Sequence, residues 1–249
     1  MMKIKSVVLI CVLMGSTVLH AQQFIEQRQL IDLPTAGTLD RGSYDIRLRM
    51  FGNGGLVGGV SVGVTPRFMF GLSWGGTNII GEGDVDWNPN PGIHARIRLL
   101  DENFAIPAIT LGFDSQGYGA YNDGFDRFEN KSRGFFAVAS KNYAVLFNLG
   151  LHGGLNFSLE DGDDDEDLNL FLGVDLSFNR EFRAILEYDF ANNDNENDAR
   201  FGGNDGYLNG GVQWIFSEQL ILQFNIKNLL KSGANEVTRE FKIGYFEYF

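Results

Sequence analysis

Leu168-Asn169-Leu170-Phe171-Leu172-Gly173-Val174-Asp175-Leu176-Ser177-Phe178 alternates along its whole length. One parity carries Leu168, Leu170, Leu172, Val174, Leu176 and Phe178; the other carries Asn169, Phe171, Gly173, Asp175 and Ser177. Successive side chains of a strand point to opposite faces, so this run is a strand with one apolar side. Counting it, twelve such runs appear, at 43–52, 55–65, 67–75, 92–100, 105–114, 134–141, 142–156, 168–178, 182–191, 206–216, 220–228 and 238–249. Their connections are alternately short and long. Pro66, 101–104, Lys141-Asn142, 179–181 and 217–219 are short; 76–91, 115–133, 157–167, 192–205 and 229–237 are longer and mostly polar. Antiparallel strands in up-and-down order put alternate links at opposite ends. One end then has tight turns and the other long loops, as in outer-membrane barrels.

The composition agrees. The 249 residues are 44% apolar and 21% charged, with 32 Gly, 22 Phe and one Cys. A disulfide scaffold, a collagen-like repeat and a disordered chain are excluded. The net charge of −12, with no basic stripe, excludes a nucleic-acid binder.

Met1-Met2-Lys3-Ile4-Lys5, an apolar run from Val7 to Met14 and a small residue at Ala21 form a secretory leader, residues 1–21. The apolar run is too short to span a bilayer as a helix. The only cysteine, Cys11, lies in the leader. Residues 22–42 are a periplasmic lead-in that can enter the lumen, and 43–249 are the barrel.

Alternation alone leaves two barrels open, since a lipocalin-like barrel has its apolar face inside. Three features favour apolar side chains outward. Twelve strands enclose more space than eight, and an apolar lining would leave a void. The polar faces carry charges fit for a lumen. Phe241, Ile243, Tyr245 and the terminal Phe249 form an aromatic C-terminal strand, interrupted by Glu247, of the kind read by barrel-insertion machinery. Aromatics also gather at the strand ends, Phe68, Tyr143, Phe178, Phe182, Trp214 and Phe216 at the turn end and Trp74, Phe113, Phe157, Tyr188 and Phe190 near the loop end. The fold is therefore an all-β, closed antiparallel up-and-down transmembrane barrel of about twelve strands in a bacterial outer membrane.

On this register Arg47, Arg49, His94, Arg96, Arg98, His152, Asp175, Glu187, Asp189, Lys227 and Lys242 line the lumen. The fourth and ninth wall strands stand nearly opposite, so bases face acids across it. If water fills the gap, the charges set a transverse field for polar solutes. If the side chains meet, they pair and plug the barrel. Both arrangements remain open on the sequence alone.

Residues 160–167 hold seven carboxylates in eight positions. Asp161, Asp163, Asp165 and Asp167 are candidate ligands for Ca²⁺ or Mg²⁺, which prefer oxygen. The spacing is not that of an EF-hand, and a solvated anionic loop is the plainer reading; 192–198 is a weaker version. There is no HExxH and no Walker loop, and neither His94 nor His152 sits in a recognisable hydrolase motif. Gly52-Asn53-Gly54-Gly55 is a hairpin turn. No cofactor and no catalytic residue is expected.

The middle third resembles the YjbH-type family of outer-membrane barrels. The resemblance is carried by Ala95-Arg96-Ile97-Arg98-Leu99-Leu100-Asp101-Glu102, by Ile106-Pro107-Ala108-Ile109-Thr110-Leu111-Gly112-Phe113-Asp114, by Gly117 and Tyr121, and by Phe136-Ala137-Val138-Ala139-Ser140-Lys141. Leu33-Pro34-Thr35-Ala36-Gly37 is similar to the small-residue stretch ahead of that family's first strand. Members are often longer, with further domains. The resemblance implies a role in exopolysaccharide production or export. The expected function is non-enzymatic: porin-like passage of polar solutes or that polysaccharide role, with outer-membrane lipid, insertion machinery and polar or polysaccharide solutes as partners. The alternative is a closed structural or adhesive barrel whose acidic loops bind cations.

Overall fold

The computed structural model describes residues 26–195, 205–233 and 236–249. The expected leader with Cys11, residues 22–25 and part of the 192–198 stretch lie outside the described residues.

Among the described residues fifteen strands run in chain order: β1 (Ser43–Phe51), β2 (Gly55–Thr65), β3 (Phe68–Thr77), β4 (Asp86–Trp87), β5 (Gly92–Leu100), β6 (Ala108–Asp114), β7 (Tyr118–Asn122), β8 (Arg127–Asn130), β9 (Gly134–Tyr143), β10 (Asn148–Phe157), β11 (Asn169–Ser177), β12 (Phe182–Asp189), β13 (Tyr207–Phe216), β14 (Leu220–Lys227) and β15 (Thr238–Tyr248). Twelve make the wall. Each pairs antiparallel with its chain neighbours, and β15 closes on β1 from Ser43↔Tyr248 to Met50↔Phe241. The short β4 pairs only with the end of β3, and β7 and β8 form a hairpin within a long loop. Closure leaves no strand edge, which hydrocarbon requires because an unpaired peptide group there costs several kcal/mol.

The faces sort as the alternation requires. Outward on neighbouring strands stand Leu172 (54% exposed), Leu186 (46%) and Val212 (58%), while Asn169, Glu187 and Gln223 point inward and are buried. Aromatic pairs mark both ends of the apolar belt. Phe182 and Trp214 stack at 6.1 Å near the turns; Trp74 and Trp87 stack at 4.7 Å and Tyr188 meets Phe190 at 4.9 Å near the loops.

The first hairpin turn is where the sequence puts it. Asn53 and Gly54 take φ of 56° and 61°, the left-handed pair that fits the twist of flanking strands. Two boundaries differ from the sequence reading. The turn expected at Lys141-Asn142 lies at 144–147, where Leu146 has φ 52°. The polar pair is used by the neighbouring turn instead: Lys141 reaches the Asn103 carbonyl, and the Asn142 amide donates to Glu102 at 2.8 Å. β6 starts at Ala108 rather than 105, because the Asn103 side chain accepts the Ala105 and Ile106 amides at 2.9 and 3.1 Å and extends the turn.

The lead-in fills the barrel axis. Residues 26–40 enter from the turn end, reverse at Ile31-Asp32 and return to Asp40, next to β1. The limbs are held by Thr35 N donating to Arg28 O at 3.1 Å and Leu30 N to Leu33 O at 2.9 Å. Leu30, Ile31, Leu33 and Ala36 are fully buried. Leu33 and Ala36 pack with Ala108, Phe136, Val138 and Phe171; Leu30 and Ile31 pack on Ile185. The small apolar core of the molecule therefore lies between this hairpin and one side of the inner wall.

Candidate functional site: the plugged lumen

A two-limbed segment inside a barrel has peptide groups that no water can satisfy, and each needs a partner. The wall supplies them by chemical type. On β12 the Glu187 carboxylate accepts three successive tip amides, Ile31 at 2.9 Å, Asp32 at 2.8 Å and Leu33 at 3.0 Å, and a fourth bond from Asn209 at 2.9 Å. Cations on other strands take the carbonyls. Arg49 donates to Ile31 O at 2.7 Å, Arg98 to Ala36 O at 2.7 Å, Arg96 to Arg28 O and Lys242 to Ile31 O. Gln223 adds a bond to Leu30 O at 3.0 Å, and Thr110 one to Ala36 O at 2.8 Å.

Side chains of the hairpin complete the match. Asp32 pairs with Arg49 at 3.0 Å and Lys227 at 2.7 Å; Arg28 pairs with Asp45 at 2.8 Å; Glu26 pairs with Arg98 at 2.6 Å. Arg47 reaches Asp45 at 2.8 Å and Gln29 at 3.1 Å. The pairs of Asp32 with Arg49 and Lys227 and of Asp45 with Arg28 are desolvated and hold only while every partner is present.

All eleven sequence-derived lumen residues face inward. The expectation that β5 cations look directly at β12 carboxylates across the lumen is corrected. The hairpin stands between them, turning N–H groups to Glu187 and C=O groups to the cations. The remaining four candidates belong to wall networks. His94 meets Ser61 at 2.9 Å. Asp189 accepts Asn169 at 2.6 Å and pairs with Arg133. His152 lies between Ser140 and Asp175, 2.8 Å from each. This Ser-His-Asp series has the order of a nucleophile relay. The Ser140 oxygen, however, accepts the Ala36 amide of the hairpin at 2.8 Å, and Arg183 sits 3.2 Å from the other Asp175 oxygen. The series works as a wall-to-plug latch.

The loop end is sealed by a residue the sequence reading did not single out. Tyr118 of β7 dips into the lumen and is buried. Its hydroxyl donates to Asp32 O at 3.1 Å and accepts from Gln29 at 2.6 Å, while Arg49 lies 4.1 Å from its ring centroid. A guanidinium over an aromatic face adds attraction to the hydrogen bonds. Above it the loops interlock. Arg127 of β8 pairs with Asp163 and, at 2.8 Å, with Asp194; Lys131 pairs with Asp163 at 2.6 Å. Glu160 accepts the Phe128 and Ser132 amides, both at 3.0 Å. Burial pushes the Glu160 and Asp194 carboxyls above their ordinary range, against the hydrogen bonds and cations that favour ionisation.

The acidic stretch is thus divided. Asp161 and Asp167 are exposed, whereas Asp163 and the buried Asp165 turn toward Lys131, whose ammonium also donates to Asp165 O at 2.7 Å. Among the described residues no group of three or more His, Cys, Asp or Glu is arranged to hold a metal ion. At the other end of the chain, Phe241, Ile243 and Tyr245 share the outward parity of β15. Phe249 lies beyond its end with its ring 5.2 Å from Tyr44, and Glu247 accepts the Tyr245 hydroxyl at 2.6 Å.

A cavity of ≈ 640 Å³ lies between the hairpin and β9 to β12, with Asn179, Arg180, Glu218 and Tyr248 at its turn-end rim.

Comparison with known proteins returns structures only: no family model, the YjbH type included, and no curated protein matches the chain. A solved "KdgM porin" is similar at 12% identity, over 83% of this chain and 99% of that one, with a TM-score of 0.49. The "KdgM porin in complex with disordered oligogalacturonate" gives 13%, the same coverage and 0.49. The translocator domain of autotransporter NalP from Neisseria meningitidis gives 13% over 83% of this chain and 86% of that one, with 0.40. The twelve-strand barrel assignment rests on the strand register above.

Proposed function

We propose that this chain is a non-enzymatic, porin-like outer-membrane barrel for polar solutes whose lumen is closed at rest by its own N-terminal hairpin. The observation that carries the reading is the fit of the wall to that hairpin: one carboxylate on three tip amides, with four cationic side chains on its carbonyls. Without the hairpin, the same groups form a water-lined channel of mixed charge, the kind of lining that selects polar solutes. In outer-membrane barrels the short turns lie on the periplasmic side, so the hairpin reaches the lumen from there. Hydroxyl and amide side chains on the inner wall, Ser140, Asn209 and Gln223 among them, support saccharide fragments as the solute.

Planar bilayer recording tests the reading. The full chain is expected to be nearly silent, and a variant lacking residues 26–38 to give steady ohmic conductance. A deletion variant that forms an SDS-resistant barrel yet stays silent would overturn it. The pairing of Asp163 with Lys131 and Arg127, and the Asp167 and Asn195 amides on the Asp165 carboxylate, favour the acidic loop as part of a cap over the adhesive, cation-binding alternative.

A further inference from the structure

The cavity beside the hairpin is bounded on one side by Gly37, Thr38 and Leu39 of the hairpin and on the other by Ser140, His152, Asp175 and Arg183 of the wall. Its rim consists of residues in turns or at the turn-end tips of strands. It therefore opens toward the turn end. Its volume of ≈ 640 Å³ falls within the roughly 300–1,000 Å³ of pockets that enclose small molecules.

The lining is chemically selective. Most of its charges are matched within the protein: Arg28 by Asp45, Arg183 by Asp175, Glu26 by Arg98. Arg180 and Glu218 bring one charge of each sign, and Asp40 adds a carboxylate that accepts the Tyr248 hydroxyl at 2.9 Å. Hydroxyl and amide groups remain: Ser140, Ser177 and Thr38, with Asn142 and Asn148. His152 donates from Nε2 to Asp175 and accepts at Nδ1 from the Ser140 hydroxyl, so a solute hydroxyl reaches this nitrogen only by taking the place of Ser140. Phe147, Phe246 and Tyr248 supply aromatic surface near the mouth. Hydroxyl and amide groups, charges of both signs and flat apolar rings together are the complement of a polyhydroxylated molecule with apolar C–H faces.

We infer that this chamber is a binding site for a neutral polyhydroxylated solute of oligosaccharide size, which enters from the turn end. The inference rests on the reading of the chain as a barrel for polar solutes, but not on conduction through it. Bound solute lies against Gly37, Thr38 and Leu39 of the returning limb and competes for Ser140, the residue that latches Ala36. Occupancy and plug retention are thus coupled at one hydroxyl.

Cysteine accessibility provides the test, because the sequence has a single native thiol, Cys11. In a Cys11→Ser background, Ser177→Cys reports from the chamber, Asn148→Cys from its rim and Asp123→Cys from the loop end. A membrane-impermeant methanethiosulfonate is applied to whole cells and to cells with a permeabilised outer membrane, with maltotriose as the neutral probe and an anionic disaccharide of hexuronate as the contrast. Chamber positions are expected to react only after permeabilisation, whereas Asp123→Cys reacts in both. On the purified full chain, maltotriose at about ten times its Kd should slow Ser177→Cys labelling roughly tenfold and leave Asp123→Cys unchanged. Equal rates with and without maltotriose at both chamber positions would overturn the inference, leaving a water-filled void. Protection by the hexuronate alone would overturn the neutral class, and labelling of the chamber in whole cells would overturn the approach from the turn end. Asn148→Cys keeps the test open if Ser177→Cys does not fold. A folded 26–38 deletion variant that stays silent in bilayers, with sugar protection of the full chain intact, would refute the gated channel and spare this site; conductance of that variant with no protection of the full chain would do the reverse.

Discussion

Glu187 concentrates the plug's attachment in one side chain. Replacing it by Gln removes the charge, leaves a single oxygen for three amides and turns an N–H toward another. Hydrogen bonds to a charged group are worth roughly 1.5–3 kcal/mol. Loss of about 2 kcal/mol raises the undocked fraction about thirtyfold. Glu187→Gln should therefore show brief openings in bilayers at about thirty times the frequency of the unchanged chain, with the barrel intact. A second residue-scale expectation concerns the cap. Glu160 and Asp194 have carboxyls raised above their ordinary values by burial. A group whose folded-state pKa is raised stabilises the folded cap below its unfolded pKa, and that contribution is lost as pH rises through the folded value. Amide exchange of Phe128 and Ser132, corrected for the intrinsic rate, should be slower at acid than at alkaline pH; the opposite trend would reverse the assignment. The inward placement of such residues was legible from parity alone. Their partners were not. Glu187 and Ile31 are 156 positions apart, and nothing local to either announces the other.

At the scale of elements, the plug is a hairpin only because its limbs approach closely at Gly37. A Cβ there would overlap the Gln27 carbonyl oxygen, with backbone on the far side that cannot turn away. Gly37→Val should separate the limbs and give bilayer conductance resembling that of the deletion variant, while strand pairing in the wall is unchanged by circular dichroism. The strands themselves were readable, since the parity of their side chains is dictated by lipid on one side and a polar lumen on the other. The reading slipped where polar residues belonged to a neighbouring turn. Lys141 and Asn142 look like a loop by composition, yet they continue β9 because the 101–107 turn receives both side chains. The hairpin β7–β8 was taken for plain loop; Tyr118 and Arg127 are recognisable as lumen and cap residues only once the loop is seen folded over the mouth.

For the whole molecule, the ring of antiparallel ladders with apolar residues outward predicts a particle that stays folded in SDS until heated. The unheated full chain should migrate faster on a gel than the heated one. The 26–38 deletion should keep this difference, with its conversion at a lower temperature because Leu30, Ile31, Leu33 and Ala36 leave the core. Deletion that abolishes the difference would mean that the wall cannot close without its occupant. The class of fold was legible here because length, alternation and loop spacing all reflect one solvent boundary; the closed lumen was only half legible, as two arrangements fitted the same charges. The plug immediately precedes β1, and β1 pairs with β15, the last strand of the chain. The seam that completes the cylinder therefore joins the first wall strand to the last. During biogenesis β1 has to wait for β15 before its second edge is covered, and the plug must be tucked in before that zipper shuts or thread through afterwards.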